Sequence, residues 1–557
     1  MRLILFFILF FSITSCSSDE LVENNSQSSA IELKTNTPSF ISQIQVDYEG
    51  VIIKTNNENI LSYGMLIGEK ENLTIEDNMG NQNQKYSSGD TTYKGTFLDL
   101  QGNKKYFLRF YIKTVNKIYY ANTISFESKK HKQPTEPNIK LTTQQQIINF
   151  GQQGYTYVTN LEIGGSVQDL SPLSSLIKIG GDLSIQYTNQ LKNLHGLENI
   201  KIIGTDVLPA GRLNVYNNSK LETLSGLDNL IFSGRLIIVN NPLIQDLQGL
   251  SQLEEAWHST YLTVPSFDGL PLNFRTGEFS STGFKGVNLG NRTINCEAYD
   301  FTLKDAPNIT SLKGFIVGNY QNTTSFTIEN CKSLKSLEGI VFPDIYDDIN
   351  IINCENLESL KGIENLTKVD GLVLRNLPNL KKLQFLENVK EIGTFGLYNV
   401  GISDFVGLNN VKLIEAFSIN LCNNLINFKG LSSLKKIGNS IQYFEVNGCQ
   451  NLQNFIGLEN VEYFTRFNLN NLPSLINFIG IGNSVMPYIS ISNCQLITSL
   501  QGLENVTSSN NIGIFNNQNL QNFCSIKNII TNLNPASLYI TGNALNPTKQ
   551  EIITNCP

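Results

Sequence analysis

Nine cysteines and three histidines give this 557-residue chain its widest chemical reach. Five of the cysteines, Cys331, Cys354, Cys422, Cys449 and Cys494, recur in one half of the chain in similar surroundings, as in "NCKSLKSLEGI", "NCENLESLKGIENL" and "NCQLITSLQGLENV". Such a set could serve as a disulfide framework, a metal site or a source of thiolate nucleophiles. Metal binding calls for clustered cysteines or Cys/His pairs at short spacing, and the sequence contains none. His131, His195 and His258 lie far apart in sequence, which leaves little material for histidine acid–base chemistry.

The elements that must position these cysteines form a repeat. The pattern apolar-x-apolar-x-Asn-(Cys/Asn/Leu) ends at Asn218, Asn241, Cys331, Cys354, Leu377, Val400, Cys422, Cys449, Leu472, Cys494 and Asn517. From Cys331 onward most copies are 23 residues apart. A fixed period of this size signals a solenoid whose stacked coils share one core. In "FTIENC", Phe326 and Ile328 alternate with Thr327 and Glu329, which predicts a strand with one face inside. Leu334, Leu337 and Ile340 then follow at three-residue spacing, which suits a tight return arm. A glycine before the last apolar residue of each arm, such as Gly339 or Gly362, fits a corner at positive φ. The asparagine that ends each strand, such as Asn330 or Asn353, can bond nearby backbone, and stacked copies would form a ladder.

This frame gives the cysteines a plain role. A column that accepts Cys, Leu, Val and Asn asks for volume, and free cysteine is a small buried hydrophobe. Adjacent coils lie about 4.8 Å apart, so Cα distance alone does not exclude Cys331–Cys354 or Cys422–Cys449 disulfides. Parallel Cβ vectors would aim those sulfurs badly, and free buried thiols are expected. Strand alternation also lists the outward rows. One runs Thr327, Asn350, Val373, Gly396, Ser418, Glu445, Asn468, Ser490, Gly513. The other runs Glu329, Ile352, Arg375, Tyr398, Asn420, Asn447, Asn470, Ser492, Phe515. Glu329, Arg375 and Glu445 are two and three coils apart, roughly 10–15 Å, too far to work as an acid–base pair.

The repeat resembles the receptor L domain, a leucine-rich β-helix. "LSGLDNLIFSGRLIIVNNPLIQDLQGL" (224–250) is similar to its unit, 141–163 to its opening helix and first strand, and 523–557 to its closing segment. The resemblance covers nearly all of 141–557 and implies a right-handed, leucine-rich parallel β-solenoid of about 23 residues per coil. It also supports a disulfide between Cys524 and Cys556, which bracket the closing segment. Cys296 has no evident partner. The resemblance weakens at 251–300, which reads as an insertion or irregular coils holding Trp257, Tyr261, Phe267, Phe274, Phe279 and Phe284, with Asp268 and Glu278 as loop acids.

The start of the chain adds an anchor and a spacer. A basic Met1–Arg2, an apolar run from Leu3 to Ile13 and Ile13-Thr14-Ser15-Cys16 resemble the signal peptide (1–15) and lipobox of bacterial lipoproteins, which implies lipidation of Cys16. The acidic residues after it resemble the tag of Bacteroidetes lipoproteins exposed on the outer membrane. Residues 16–37, rich in Ser, Asn, Glu and Thr, read as a flexible tether. Residues 38–128 carry short β runs broken by turn residues and predict a β-sandwich. Leu100 six residues before Tyr106 resembles the tyrosine corner of fibronectin type III-like domains, in which the hydroxyl ties the turn to the backbone. "KKHKQPTEPNIK" (129–140) reads as a linker.

Together these features predict a mainly β protein with an N-terminal sandwich and a long solenoid. A net charge of −7 argues against nucleic-acid binding. No cofactor or metal is expected. The expected function is a non-enzymatic surface binding or adhesion protein, held to the membrane through its lipid and taking a protein or glycan ligand. Trp257, Tyr261, Phe274, Arg375 and Tyr398 are the candidate ligand-binding residues. The alternatives are a structural envelope component and, less in keeping with the residues, a polysaccharide-acting β-helix protein.

Overall fold

The structure, a computed structural model, describes residues 31–55, 58–204, 211–296, 300–318, 325–438 and 443–556. The signal peptide, Cys16 and most of the tether lie outside the described residues. Two four-stranded antiparallel sheets open the chain. One holds β1 (Glu32–Thr35), β2 (Phe40–Ile41), β3 (Val46–Lys54) and β6 (Thr92–Phe97). The other holds β4 (Ile60–Gly68), β5 (Gly80–Lys85), β7 (Lys105–Thr114) and β8 (Ile118–Glu127). Val46 and Tyr48 from the first sheet and Met65, Leu108 and Phe110 from the second bury one common core. The Tyr106 hydroxyl accepts the Gln101 N–H at 3.0 Å, the tie anticipated from its spacing to Leu100.

The sandwich starts earlier than its composition suggests. Glu32–Thr35 falls in the expected tether, yet it pairs with β3. Thr35 is buried, and its Oγ1 accepts the Phe110 N–H at 2.9 Å. A polar segment that could not order itself is ordered here by partners already in place. The expected linker is likewise partly structured, because β9 (Asn138–Leu141) pairs in parallel with Asn160–Ile163 as the first strand of the solenoid. The helix α1 (Gln144–Gly151) follows, its N-terminus closed by a Thr143/Gln146 capping box. The residues between are tied to both sides. The Lys129 N–H donates to Ser42 O at 3.1 Å and the Thr156 N–H to Lys132 O at 2.8 Å. Lys178 pairs with Asp99, and Lys201 Nζ donates to Gln45 Oε1 at 2.8 Å across the same boundary.

From β9 onward the chain is a parallel β-solenoid of about 17 turns, with about 23 residues per coil. One continuous core runs from Leu141 to Ile552. The corner glycines Gly196, Gly226, Gly249, Gly314, Gly339, Gly362, Gly407, Gly430, Gly457, Gly480 and Gly502 have φ between 95° and 123°. The asparagines Asn330, Asn353, Asn376 and Asn399 have φ between 52° and 57° and form the ladder. Asn353 Nδ2 donates to Asn330 Oδ1 at 2.9 Å, Asn376 Nδ2 to Asn353 Oδ1 at 2.7 Å, and Asn399 Nδ2 to Asn376 Oδ1 at 3.1 Å. In the return arms Phe405, Phe428, Phe455 and Phe478 stack in successive coils, with centroids 5.4, 5.4 and 5.8 Å apart.

Residues 251–296 continue the sheet as irregular coils, the second of the two readings of this stretch, and not as an insertion. Glu255 faces Arg275 and Asn273 faces Thr293 in register. Both steps are 20 residues (275 − 255 and 293 − 273), so these coils are shorter than the rest, and the register slips between Ala256 and Ser259. The aromatic residues there compensate in bulk: Phe267, Phe274, Phe279 and Phe284 are all buried in the common core. Phe274 therefore packs the interior and presents no face to a ligand.

Candidate functional site

The column cysteines come first, since their chemistry raised the question. Cys296, Cys331, Cys354, Cys422, Cys449 and Cys494 are free and buried, while Cys524 and Cys556 are bonded to each other. Burial pushes the Cys494 thiol up to about 12. A hydrogen bond to Cys354, reinforced by burial, holds Cys331 protonated. Such thiols are poor nucleophiles. The asparagines that share their column differ: buried Asn218 donates through Nδ2 to Ile185 O at 2.8 Å and to Asn241 Oδ1 at 3.0 Å. Where the column carries an amide, a hydrogen-bond chain replaces packing.

The outward rows fall in the register expected from alternation. Thr327, Asn350, Val373, Gly396, Ser418, Glu445, Asn468, Ser490 and Gly513 are consecutive partners, as are Glu329, Ile352, Arg375, Tyr398, Asn420, Asn447, Asn470, Ser492 and Phe515. Two of the candidate ligand residues are brought together, since Arg375 faces Tyr398 and its guanidinium lies 5.6 Å from that ring centroid. Trp257 and Tyr261 stand on another strand, Glu255–Leu262, far along the solenoid. Trp257 is 39 % exposed. The Tyr261 hydroxyl donates to Glu278 Oε1 at 2.6 Å, and burial together with that bond pushes the tyrosine up to about 12. Glu278 is a strand residue and not a loop acid. Burial raises its carboxyl, and Asp300 nearby adds to the effect.

A third outward row, two residues before the first, was not listed from the sequence. Ser325, Asp348, Gly371, Thr394 and Ala416 are consecutive partners, as are Arg466, Tyr488 and Asn511. Asp300, whose Oδ1 accepts the Ser325 N–H, and Tyr443, which stands one residue before Phe444, flank these runs in the row. Its acidic part includes Asp348, whose carboxyl is raised by burial and by Asp347, Asp370 and Asp300. Among the described residues no three His, Cys, Asp or Glu side chains are grouped to hold a metal ion. The other part of the row is aromatic and cationic. Tyr443 and Tyr488 are 42 % and 48 % exposed, and the Arg466 guanidinium between them sits 5.6 Å from the Tyr488 centroid. With Glu445, Phe467, Asn468, Ile489, Ser490 and Asn511 they line a shallow groove of about 380 Å³. The signal was present in "QYFEV", "TRFNL" and "PYISI", where each residue precedes the first inward aromatic or isoleucine.

The groove is chemically open. Among the described residues, the side chains of Tyr443, Glu445, Arg466, Asn468, Tyr488, Ser490 and Asn511 make no hydrogen bond or ion pair. The neighbouring row behaves differently, since Asn420, Asn447 and Asn470 are spent on one another at 3.3 and 3.0 Å. What the groove offers is two aromatic faces, a cation, a carboxylate and amide and hydroxyl groups on a rigid parallel sheet. That set can bind a ligand that is both apolar-faced and hydrogen-bonding.

Comparison with known proteins agrees with the architecture. The family model described as a BspA type leucine rich repeat region matches in six copies over 273–394 and 349–472, and the receptor L domain model matches 141–255. No curated protein sequence matches the chain. Among solved structures, the sensor domain of the anti-sigma factor RsgI4 in Pseudobacteroides cellulosolvens is 14 % identical over 19 % of this chain and 99 % of that one, at a TM-score of 0.16. A solution structure of the same sensor domain is 15 % identical over 18 % and 76 %, at 0.15. Likeness this slight carries no argument. The two family matches are consistent with leucine-rich and L-domain repeats across most of the solenoid.

Proposed function

We propose that this protein is a lipid-anchored, non-enzymatic binding protein of the cell surface, with the solenoid as its recognition surface and the sandwich as a spacer. The observation that carries the reading is the Tyr443–Arg466–Tyr488 row, which exposes large aromatic faces beside polar groups that make no hydrogen bond or ion pair among the described residues. Exposed aromatic and arginine side chains of this kind are the usual anchors of interfaces. The anchor rests on Ile13-Thr14-Ser15-Cys16. The Arg375–Tyr398 pair offers a second, smaller contact on the same side of the sheet.

The test uses the full chain on cells. Protease added to intact cells is expected to remove the solenoid of the wild type, and Cys16→Ala is expected to release the protein from the membrane. The purified chain is then screened against extracellular-matrix proteins and glycans beside a Tyr443→Ala/Tyr488→Ala variant. A protein that stays protected in intact cells, or whose binding is untouched by the double substitution, would overturn the proposal.

A further inference from the structure

We infer that the groove at Tyr443, Arg466 and Tyr488 takes a linear β-1,4-linked glycan laid along the solenoid axis, across the strands. This deepens the binding function proposed above and rests on it. The inference starts from spacing. Tyr443 and Arg466 immediately precede the register partners Phe444 and Phe467, and Arg466 faces Tyr488 in the next coil, so the two tyrosines stand two coils apart with Arg466 between them. Two strand spacings amount to about 10 Å. In an extended β-1,4-linked chain every second ring presents the same face, and two sugar units cover a comparable length. The two tyrosine rings therefore meet equivalent C–H faces of alternate sugars, and the ring between them falls at Arg466.

The polar groups complete the match. A sugar ring stacked on a tyrosine turns its hydroxyls sideways, toward the next row. There Glu445, Asn468 and Ser490 are register neighbours, and each is without a partner among the described residues. Glu445 accepts, Arg466 donates, and Asn468, Ser490 and Asn511 do both, which is the mixed demand that hydroxyl groups make. A proline-rich peptide would also place apolar faces on the tyrosines and offer carbonyl acceptors, but its prolines lack the N–H that would match Glu445. The track continues on one side only. Beyond Tyr443 the row holds Ala416, Thr394 and Gly371, a low floor over which a chain can pass. On the other side Phe515 leans over Gly513, close enough that a Cβ there would meet its ring at 2.4 Å, and bounds the groove.

The experiment is calorimetric titration of the full chain with cellohexaose and chitohexaose and with their shorter oligomers. Binding is expected to strengthen as the oligomer grows from two to three sugars, the length that spans both tyrosines. Tyr443→Ala and Tyr488→Ala are each expected to weaken hexaose binding about tenfold, and Tyr443→Phe to retain it, because the ring does the stacking. Glu445→Gln reads the hydroxyl contact separately and is expected to weaken binding without changing the length dependence. Unchanged melting of each variant shows that the fold is intact. Binding of a proline-rich peptide or a matrix protein that hexaose does not displace overturns this inference and leaves the binding function standing. No binding to any glycan, peptide or protein overturns both.

Discussion

The corner glycines offer the sharpest test of how the coils are held at their spacing. Gly362 has φ 123°, and a Cβ built there would lie 2.2 Å from Leu337 O and 2.6 Å from Leu337 C. Both obstacles are backbone of the preceding coil, so no rotamer change relieves them. Gly362→Ala therefore carries two costs. A non-glycine residue held at such a φ costs roughly 1–3 kcal/mol, and forcing extra volume into packed structure costs about 1–3 kcal/mol. The stiffer unfolded chain returns about 0.4–1 kcal/mol. A net loss of about 3 kcal/mol is expected. Nearest-neighbour coupling in a solenoid keeps that loss local, so hydrogen exchange of the amides around Leu337 and Gly362 should rise well before the far coils respond. Phe385 is the internal control. It occupies the same corner one coil on, with φ relaxed to 78°, and its N–H is held by Glu387 at 2.8 Å as Gly362 is held by Glu364 at 2.9 Å. Phe385→Gly trades relief of roughly 1–2 kcal/mol of left-handed strain against lost ring contacts and a freer unfolded chain. It should stay within about 1 kcal/mol of the wild type. If Gly362→Ala melts like the wild type and protects the Leu337 amide as well, the contact argument is wrong.

Three further outcomes follow from the same geometry. Asn353→Ala breaks two ladder bonds and leaves a non-glycine at φ 55°, an expected loss of about 2–3 kcal/mol in chemical denaturation, whereas Asn353→Gly keeps the turn and should lose less. Removing the Cys524–Cys556 bridge by Cys524→Ser/Cys556→Ser should cost about 2–4 kcal/mol, seen as faster exchange over Leu538–Thr541 and Lys549–Asn555 with the middle coils unaffected. His131, packed against Tyr157 where the sandwich meets the solenoid, is lowered from 6.5 to about 4 by burial and by Lys178. The folded state prefers the neutral ring, so its contribution is complete above about pH 6.5 and is lost as pH falls toward 4. Limited proteolysis near residues 129–137 should accelerate over that window in the wild type, and His131→Gln should flatten the profile; equal pH dependence in both would refute the assignment.

How far the sequence reaches depends on which face of the chain is asked about. The inward residues, the corner glycines and the strand-ending asparagines were legible because each obeys a constraint repeated in every coil: burial, positive φ, and a bond to the copy above. Exceptions to the period were harder to read. The 20-residue coils between Glu255 and Thr293 read equally as an insertion or as irregular coils because their register slips, and Phe274 looked like a ligand contact because nothing in composition separates a buried ring from an exposed one. Glu32–Thr35 read as tether and residues 138–140 as linker because their partners, Gly50–Lys54 and Asn160–Ile163, are distant or differently patterned. The outward face is legible only through register. Arg375 and Tyr398 fell into place once alternation was extended outward, and the same step taken two residues further back reaches Tyr443, Arg466 and Tyr488. That row is hidden when strands are taken to begin at the first inward residue, whereas the sheet goes on pairing before it at Arg466, Tyr488 and Asn511. In a solenoid the core is written as a period and the binding surface as the residues that the period leaves free. A single large side chain on one coil means little, and two on alternate coils, with a cation between and unpaired polar groups beside them, define a surface with a spacing of its own.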